Sequence, residues 1–365
     1  MKSLVVESDK IRKNIEIIRD KAKGVPIIGV LKGNGYGLGL IELAKLIREE
    51  GVSRFAVTEP SDALRLRDAG FADEEILILR STAIESEIKM IIESCAVATI
   101  GSYDAAVALS GVAEKDGTII DAHIEIDTGM GRYGFLPSEL DRILSVYRYM
   151  KNITVTGLYT HFYSAFASKK ATFRQADALS LVAGKIRDAG YDPGILHAAN
   201  SSGLFAFPDL PLFDAVRIGS AFTGRMPLKD KGGLSRVGYL ESQIIEVRWL
   251  LKGQTIGYGG GFTTKRPMRI AVVPIGYGDG YMTEKSRDIY RLRDVCRYLA
   301  SDVKKAMTGN KFYAFVGGKR ARVLGHVGLA HTIIDVTDID CATGDSVTFD
   351  VSPLYVPPQI ERRYV

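Results

Sequence analysis

The chain has 365 residues, of which 46% are hydrophobic and 25% are charged, and its formal net charge is +5. These values are typical of a globular protein of about two domains. The basic residues are scattered along the chain, which argues against nucleic-acid binding. No stretch approaches the ~20 apolar residues that span a bilayer, which argues against a membrane protein.

The N-terminal residues and the cysteines indicate the cellular compartment of the protein. The N-terminal residues MKSLVVESDK lack the apolar stretch of a signal peptide, and the three cysteines are far apart and form no CxxC pair. We therefore expect reduced thiols, a cytoplasmic location and no metal site.

Eight short apolar runs alternate with amphipathic segments through the first two-thirds of the chain. Strands that alternate with helices are typical of a parallel sheet, and eight such units in about 200 residues predict a (β/α)8 barrel over residues 8–230. The predicted strands are Pro26–Lys32, Arg54–Thr58, Glu75–Leu79, Ala96–Ile100, Ala122–Ile126, Thr154–Thr160, Ile195–Ala199 and Phe213–Gly219. The predicted helices include Ile11–Arg19, Leu40–Glu50, Ser61–Ala69 and Leu140–Met150.

After about residue 230 the pattern becomes β-rich. Residues 231–365 therefore predict a mostly-β C-terminal domain, to which residues 1–7 would add a strand at Leu4–Glu7. A charged segment at about 284–307 has helical spacing and predicts an insertion. The predicted strands are Gln243–Leu251, Met268–Pro274, Arg320–Leu324, Thr332–Val336 and Ser346–Val351. The expected fold class is α/β, an N-terminal (β/α)8 TIM barrel with a C-terminal mostly-β domain.

Reactive side chains collect at the predicted C-terminal ends of the barrel strands, where such barrels place their active sites. Lys32 is the sharpest case, because it ends the apolar strand IIGVLK and is followed by a glycine-rich turn. A partly desolvated lysine shifts toward its neutral, nucleophilic form, which suits a Schiff base with an aldehyde cofactor. From position alone, a lysine that merely extends its ammonium to solvent is an equal alternative.

A phosphate site is expected after the seventh and eighth strands. Ser201 would cap a short helix and bind phosphate there, and Gly219 would offer a close backbone amide. A simple helix cap at Ser201, without a ligand, is the alternative.

The ordered set of motifs resembles bacterial alanine racemases. The segment Val30–Gly37 is similar to the family's cofactor-lysine motif, and the other matches follow in the family's order over nearly the whole chain. They are Ile126–Arg132, Tyr159–Phe162, His197–Ser201, Val216–Gly219, Gly257–Gly259 and Pro274–Gly280. The resemblance implies the isomerase activity of an amino-acid racemase, a head-to-tail homodimer with shared active sites, and an amino acid as substrate.

The resemblance also implies roles for individual residues. Lys32 would bind pyridoxal 5'-phosphate and act as one catalytic base, and Tyr258 of the other subunit would act as the opposite base. His197 would orient Arg217 toward the pyridine nitrogen. The residues implied at the cofactor are Lys32, Tyr36, His161, Asn200, Ser201, Arg217, Gly219, Ser220 and Tyr355. Those implied at the substrate are Arg132, Tyr277 and Leu329.

Two departures from the family pattern bear on the substrate and the site. Glu125 stands where the family usually carries a lysine modified to a carbamate, and we hypothesise that its carboxylate, with or without Asp127, holds Arg132 instead. The resemblance makes alanine the expected substrate. Leu329 and Ala330 stand where the family has a Met-Asp pair, and this departure leaves serine, lysine or another amino acid as alternatives. A decarboxylase or eliminating enzyme on the same fold and a non-catalytic cofactor carrier are the remaining alternatives.

Overall fold

A computed structural model describes residues 2–285, 292–308 and 312–365. The chain divides into two compact units: Ser8–Val237, and the residues up to Glu7 together with Gly238–Val365. Among the described residues, no helix is both long and apolar enough to cross a membrane.

The first unit is a closed barrel of eight parallel strands in sequence order, β2 to β9, so the predicted (β/α)8 barrel is confirmed. Its strands are β2 (Ile27–Val30), β3 (Arg54–Val57), β4 (Glu75–Ser81), β5 (Val97–Ile100), β6 (Ile120–Glu125), β7 (Ile153–Tyr159), β8 (Ile195–Asn200) and β9 (Ala215–Ile218). Its helices are α1 (Ser8–Ala22), α2 (Lys32–Tyr36), α3 (Leu40–Glu49), α4 (Pro60–Asp68), α5 (Glu85–Glu93), α6 (Tyr103–Lys115), α7 (Leu140–Tyr149), α8 (Lys169–Asp188) and α9 (Ser201–Ala206).

The barrel forms because its strands are apolar on both faces while its helices are apolar on one. Strands covered by helices outside and by packed side chains inside read as near-continuous apolar runs. Helix α1 buries Ile11, Ile15 and Ile18, which lie on one face at the spacing of an amphipathic helix. One buried cluster inside the barrel draws a side chain from each of several strands: Ile28, Val30, Ala56, Leu77, Val97 and Ala215.

The segment α2 after the first barrel strand is a left-handed turn. Gly33 and Gly35 have φ of 64° and 62°, which glycine adopts without steric cost, and Asn34 and Tyr36 both have φ of 54°. The turn therefore fixes the positions of Lys32 and Tyr36 at its two ends.

The second unit contains a nine-stranded sheet in the order β11-β14-β17-β16-β15-β18-β10-β1-β19, and a separate two-stranded ribbon of β12 and β13. Strand β1 (Ser3–Val6) pairs antiparallel with β10 and parallel with β19. The other strands are β10 (Tyr239–Gln243), β11 (Glu246–Leu250), β12 (Thr255–Ile256), β13 (Phe262–Thr263), β14 (Met268–Val273), β15 (Tyr313–Val316), β16 (Lys319–Val323), β17 (Thr332–Asp335), β18 (Ser346–Asp350) and β19 (Glu361–Tyr364). The unit is therefore mostly β, as predicted.

Within the predicted helical insertion, the structure contains helix α10 (Leu292–Thr308). The part of that prediction at residues 286–291 lies outside the described residues.

Candidate active site

A cavity of about 260 Å³ opens where the barrel strands end. It brings together eight of the residues predicted at the cofactor, drawn from the first, sixth, seventh and eighth strand ends. Its walls are Val30, Lys32, Tyr36, Leu79, His161, Asn200, Ser201, Ser202, Arg217, Gly219 and Ser220. Parallel strands direct their C-terminal ends to one rim, and residues far apart in sequence therefore meet there.

Lys32 stands at the rim with its amine in a positive environment. Burial lowers the pKa of Lys32 below its ordinary value, and the charges of Arg132 and Arg217 lower it further. Each of these causes disfavours the ammonium form. At a given pH, Lys32 is therefore a neutral, nucleophilic amine in a larger fraction of molecules than an ordinary lysine is.

Tyr36 and Gly219 pack against each other at one end of the cavity. A Cβ added to Gly219 would lie 2.4 Å from the Tyr36 hydroxyl oxygen, so only glycine admits this close approach. Burial raises the pKa of Tyr36 to about 12, against a backbone hydrogen bond with Ser220 that lowers it. Tyr36 is therefore a neutral hydroxyl at physiological pH.

Ser201 orders the backbone around Gly219 rather than capping a helix. Its Oγ accepts hydrogen bonds from the amides of Gly219, at 3.2 Å, and Ala221, at 3.3 Å. Asn200 is the N-cap of α9, because its side chain accepts from the Gly203 amide at 2.9 Å. The prediction that Ser201 caps the helix is wrong, since the helix begins at Ser201 and its cap lies one residue earlier.

Arg217 is buried in the barrel, with 3% of its surface exposed. Its Nη1 donates to His197 Nδ1 at 2.6 Å and to the His197 carbonyl at 3.0 Å, and its Nη2 donates to the Thr160 carbonyl at 2.7 Å. These acceptors are all neutral. Burial lowers the pKa of Arg217, and electrostatic interactions with Tyr159 and Glu125 oppose that shift.

Two buried histidines support the arginine from below. Because Arg217 donates to His197 Nδ1, the proton of His197 lies on Nε2, which is 2.9 Å from His123 Nδ1. Burial and the charge of Arg217 lower the pKa of His123 to about 3 and that of His197 well below its ordinary value. Both rings are therefore neutral, and their tautomers follow from the arginine.

His161 lies in the cavity wall and is also neutral. Burial lowers the pKa of His161 to about 3, and the charges of Arg217, Arg132 and Lys32 act in the same direction. The cavity thus places an uncharged imidazole beside the side chains of Lys32 and Arg217.

Glu125 ends strand β6 with only 2% of its side chain exposed. Its Oε1 lies 3.8 Å from Arg132 Nη2, as the hypothesis requires. Burial raises the pKa of Glu125 to about 7, and the charges of Arg132 and Arg217 oppose that rise. Asp127 instead accepts hydrogen bonds from the amides of Gly129 and Gly131 and shapes the turn that carries Arg132.

The second unit brings two of its predicted residues into one cavity. Tyr258, which is 78% exposed, and Leu329 line a cavity of about 490 Å³ with His326 and His331. The amides of Tyr277 and Gly278 donate to the carbonyls of Gly328 and Leu329 at 3.0 and 2.9 Å, which fixes Tyr277 beside this cavity. Tyr355 ends the 3₁₀ turn Pro353–Tyr355, and a Cβ on Gly280 would lie 2.6 Å from its carbonyl.

A family model of the alanine racemase N-terminal domain matches residues 6–227, and one of the alanine racemase C-terminal domain matches residues 237–352. The chain belongs to the alanine racemase family. Among curated members, the alanine racemase of Clostridium tetani is 36% identical over 295 residues, covering 78% of this chain and 73% of that protein. Alanine racemase 1 of Clostridium acetobutylicum is 31% identical over 353 residues, covering 94% and 84%.

Solved structures of alanine racemases share the whole fold. The alanine racemase of Clostridium difficile 630 superposes with a TM-score of 0.86 at 26% sequence identity, covering 100% of this chain and 95% of that one.

Among the described residues, no group of three histidine, cysteine or acidic side chains is arranged to hold a metal ion.

Sequence reasoning gave no role to two buried residues of this alanine racemase family member, although one of them, Tyr159, lies in a matched motif. His123 supports His197, and Tyr159 contacts Glu125. One signal was available: residues 123 and 125 alternate onto one strand face, which predicts that both point into the barrel. The partner of each depended on strand register, in which His123 lies opposite Gly157 and Glu125 opposite Tyr159.

Proposed function

We propose that this chain is an alanine racemase that uses pyridoxal 5'-phosphate held by Lys32. One observation carries the proposal: an amine with a lowered pKa shares a cavity of about 260 Å³ with Arg217 and with the close pair of Tyr36 and Gly219. An amine for an aldehyde, a cradle of neutral donors for a phosphate and a fixed cation for a ring nitrogen are the three contacts that this cofactor needs.

The residues present fit the cofactor. Tyr36, Ser201, Ser220 and the backbone at Gly219 would hold the phosphate with Tyr355. The packing of Tyr36 against Gly219 leaves no room for a Cβ at residue 219. Arg217 would face the pyridine nitrogen. Because its hydrogen bonds go to neutral acceptors and arginine does not give up its proton, the ring nitrogen would stay unprotonated.

Two bases would act on opposite faces of the substrate. The bound cofactor withdraws electron density from the substrate Cα and so acidifies its hydrogen. Lys32 would hold or accept a proton at one face of Cα, and Tyr258 would do so at the other. Proton removal from one face and return to the other inverts the configuration, so the pair interconverts L- and D-amino acids.

The second unit would complete the site as part of a homodimer. The high exposure of Tyr258 leaves its hydroxyl available to the barrel of another subunit. In this arrangement the barrel binds the cofactor, and the β-rich unit supplies Tyr258 together with Tyr277 and Leu329 at the substrate entrance. The free cysteines of the chain, which are Cys95, Cys296 and Cys341, suit a cytoplasmic protein.

Arg132 would bind the substrate carboxylate. Its side chain is 41% exposed, and its Nη2 lies 3.8 Å from Glu125 Oε1. A racemase for another amino acid is the second candidate, because Leu329 and Ala330 replace the Met-Asp pair and Leu329 is exposed beside Tyr258.

Circular dichroism tests the proposal on the loaded enzyme with L-alanine, L-serine and L-lysine in parallel. We expect loss of ellipticity to be fastest with L-alanine. Tyr258→Phe should slow it by roughly 10²–10⁴-fold while the cofactor absorbance is retained. Tyr149→Phe, at another exposed tyrosine, is the matched control. Full activity in Lys32→Ala, or a faster reaction with serine or lysine, would overturn the mechanism or the substrate respectively.

A further inference from the structure

One row of side chains crosses three neighbouring strands inside the barrel. Glu125 on β6 is the register partner of Tyr159 on β7, and Tyr159 is in turn the partner of His197 on β8. All three are buried, with exposures of 2%, 1% and 0%. The row joins the residue behind Arg132 to the residue behind Arg217, and its centre is a tyrosine to which no role has been assigned.

Tyr159 contacts both ends of this row. Its hydroxyl donates to Glu125 Oε2 at 3.1 Å and lies 3.0 Å from Thr99 Oγ1. Its ring stacks on His197, with centroids 4.8 Å apart and planes at 11°. The guanidinium carbon of Arg217 lies 4.9 Å from the centre of the same ring. A single side chain therefore touches the carboxylate, the histidine and the arginine.

The carboxylate needs this donor because burial works against its charge. Burial raises the pKa of Glu125 and Asp127 adds to the rise, whereas Arg132, Arg217 and the hydrogen bond from Tyr159 favour the ionised form. Tyr159 itself stays protonated, because burial and the charge of Glu125 raise its pKa well above its ordinary value. The phenol therefore keeps a proton that it can donate to the ionised carboxylate.

Arg132 lies in a glycine-containing turn, where a fixed partner would restrict the motion of its side chain. It follows Gly131, whose φ is 69°, and Gly129, whose φ is 131°, and its side chain is partly exposed. Fixing a long flexible side chain costs conformational entropy, which a charged partner in a rigid strand offsets. Glu125 is in such a strand, and its Oε2 accepts the hydrogen bond from the hydroxyl of Tyr159.

We propose that Tyr159 is a positioning residue: its hydroxyl keeps Glu125 ionised and directed at Arg132, while its ring fixes His197 beneath Arg217. The proposal deepens the racemase function given above and rests on it for the role of Arg132 at the substrate. One buried phenol thereby sets the geometry of both arginines, at the substrate side and at the ring side of the cavity.

A switch of hydrogen-bond direction accompanies protonation of Glu125. Thr99 Oγ1 lies 2.6 Å from the Ile78 carbonyl and can donate to it. When Glu125 is ionised, Tyr159 donates to Glu125. When Glu125 is protonated, its carboxyl group donates a hydrogen bond to the Tyr159 oxygen. Tyr159 then donates to Thr99, and Thr99 donates to the Ile78 carbonyl. The carboxylate charge at Arg132 is then lost without leaving a buried donor unpaired.

The experiment measures the titration of Glu125 directly. Infrared difference spectra of the cofactor-loaded enzyme between low and high pH contain a protonated-carboxyl band, and the part absent from Glu125→Gln belongs to Glu125. In Tyr159→Phe we expect the midpoint of that band to rise by about one pH unit, because one hydrogen bond to a charged group is lost. Tyr147→Phe is the control, since among the described residues its buried hydroxyl has no hydrogen-bond partner.

The pH dependence of alanine racemisation supplies the second readout. In Tyr159→Phe the fall of kcat/KM on the acid side should move upward with the infrared midpoint. The KM for alanine, raised about tenfold near neutral pH, should return toward the wild-type value once the pH exceeds the new midpoint. A merely structural defect would not recover with pH. In Glu125→Gln the KM should stay high at every pH.

Each outcome decides the proposal. An infrared midpoint that is equal in wild type, Tyr159→Phe and Tyr147→Phe overturns it, and so does a shifted midpoint without a shifted acid limb in an active enzyme. If the wild type does not racemise alanine but the midpoint still shifts only in Tyr159→Phe, the proposed function fails while the pairing of Tyr159 with Glu125 is supported.

Discussion

Replacing Gly219 by alanine is a direct test of the cradle at one end of the cavity. The new Cβ would lie 2.4 Å from the Tyr36 hydroxyl oxygen and 2.5 and 2.6 Å from two ring carbons, whereas ordinary contact begins at 3.4 Å. The tyrosine must therefore retreat by about 1 Å. It cannot do so freely, because its own φ is 54° and the left-handed turn before it fixes its backbone.

The magnitude follows from overpacking. An extra methyl group in a tightly packed site costs about 1–3 kcal/mol, and a cost of about 2 kcal/mol paid in the bound state weakens binding about thirtyfold. We expect the dissociation constant of pyridoxal 5'-phosphate to rise by that factor in Gly219→Ala, measured by absorbance titration of the cofactor-free enzyme. Gly219 has no positive φ, so backbone strain adds nothing to the effect.

Two further variants isolate the steric cause. Gly184→Ala lies in helix α8, where the new Cβ has no atom within 4 Å beyond its own stretch of helix, and it should leave cofactor affinity unchanged. In a Tyr36→Ala background the clash is absent, so Gly219→Ala should add no further loss. An equal loss in both backgrounds would refute the reasoning, because the effect would then not pass through Tyr36.

Three other substitutions or titrations test the site and its support. Gly157→Ala should lower the free energy of unfolding by about 1–3 kcal/mol in thermal or urea unfolding, because its Cβ would lie 2.5 Å from the His123 ring; an unchanged stability would contradict this contact. Asn14→Ala should cost about 3 kcal/mol, since the buried amide bonds Phe222 and both backbone groups of Ser235. The rate at which Lys32 reacts with an added aldehyde should rise with pH to a midpoint below 10.5, and a midpoint at or above that value would contradict the lowered pKa.

The barrel and the rim could be predicted from the sequence because both follow from local pattern. The apolar run at Pro26–Lys32 contains the strand Ile27–Val30, and the amphipathic run at Leu40–Glu50 contains the helix Leu40–Glu49. In a parallel barrel the strands all point the same way, so a reactive residue after any of them faces the same rim. Lys32 and Arg217 could therefore be placed in one site although 185 positions separate them.

Details that depend on strand register and on single turns could not be predicted. The cap of α9 moved from Ser201 to Asn200 because both side chains can accept an amide hydrogen bond, and only the backbone geometry selects one. Likewise, the contact between Tyr159 and Glu125 requires the pairing of β6 with β7, whose register shifts between Ala122 and His123. Neither residue carries a sequence signal for that shift.

The same register explains why a carboxylate lies inside an apolar barrel. Arg217 is buried, and its hydrogen bonds to His197 and Thr160 go to neutral acceptors that do not balance its charge. Glu125, three strands away with Tyr159 and His197 on the two strands between, is an anion whose charge raises the pKa of Arg217, as the charge of Arg217 lowers that of Glu125. Each charge is costly to bury alone and less costly beside the other. Removing Glu125 would therefore take away both the anion that raises the pKa of Arg217 and the carboxylate that lies 3.8 Å from Arg132.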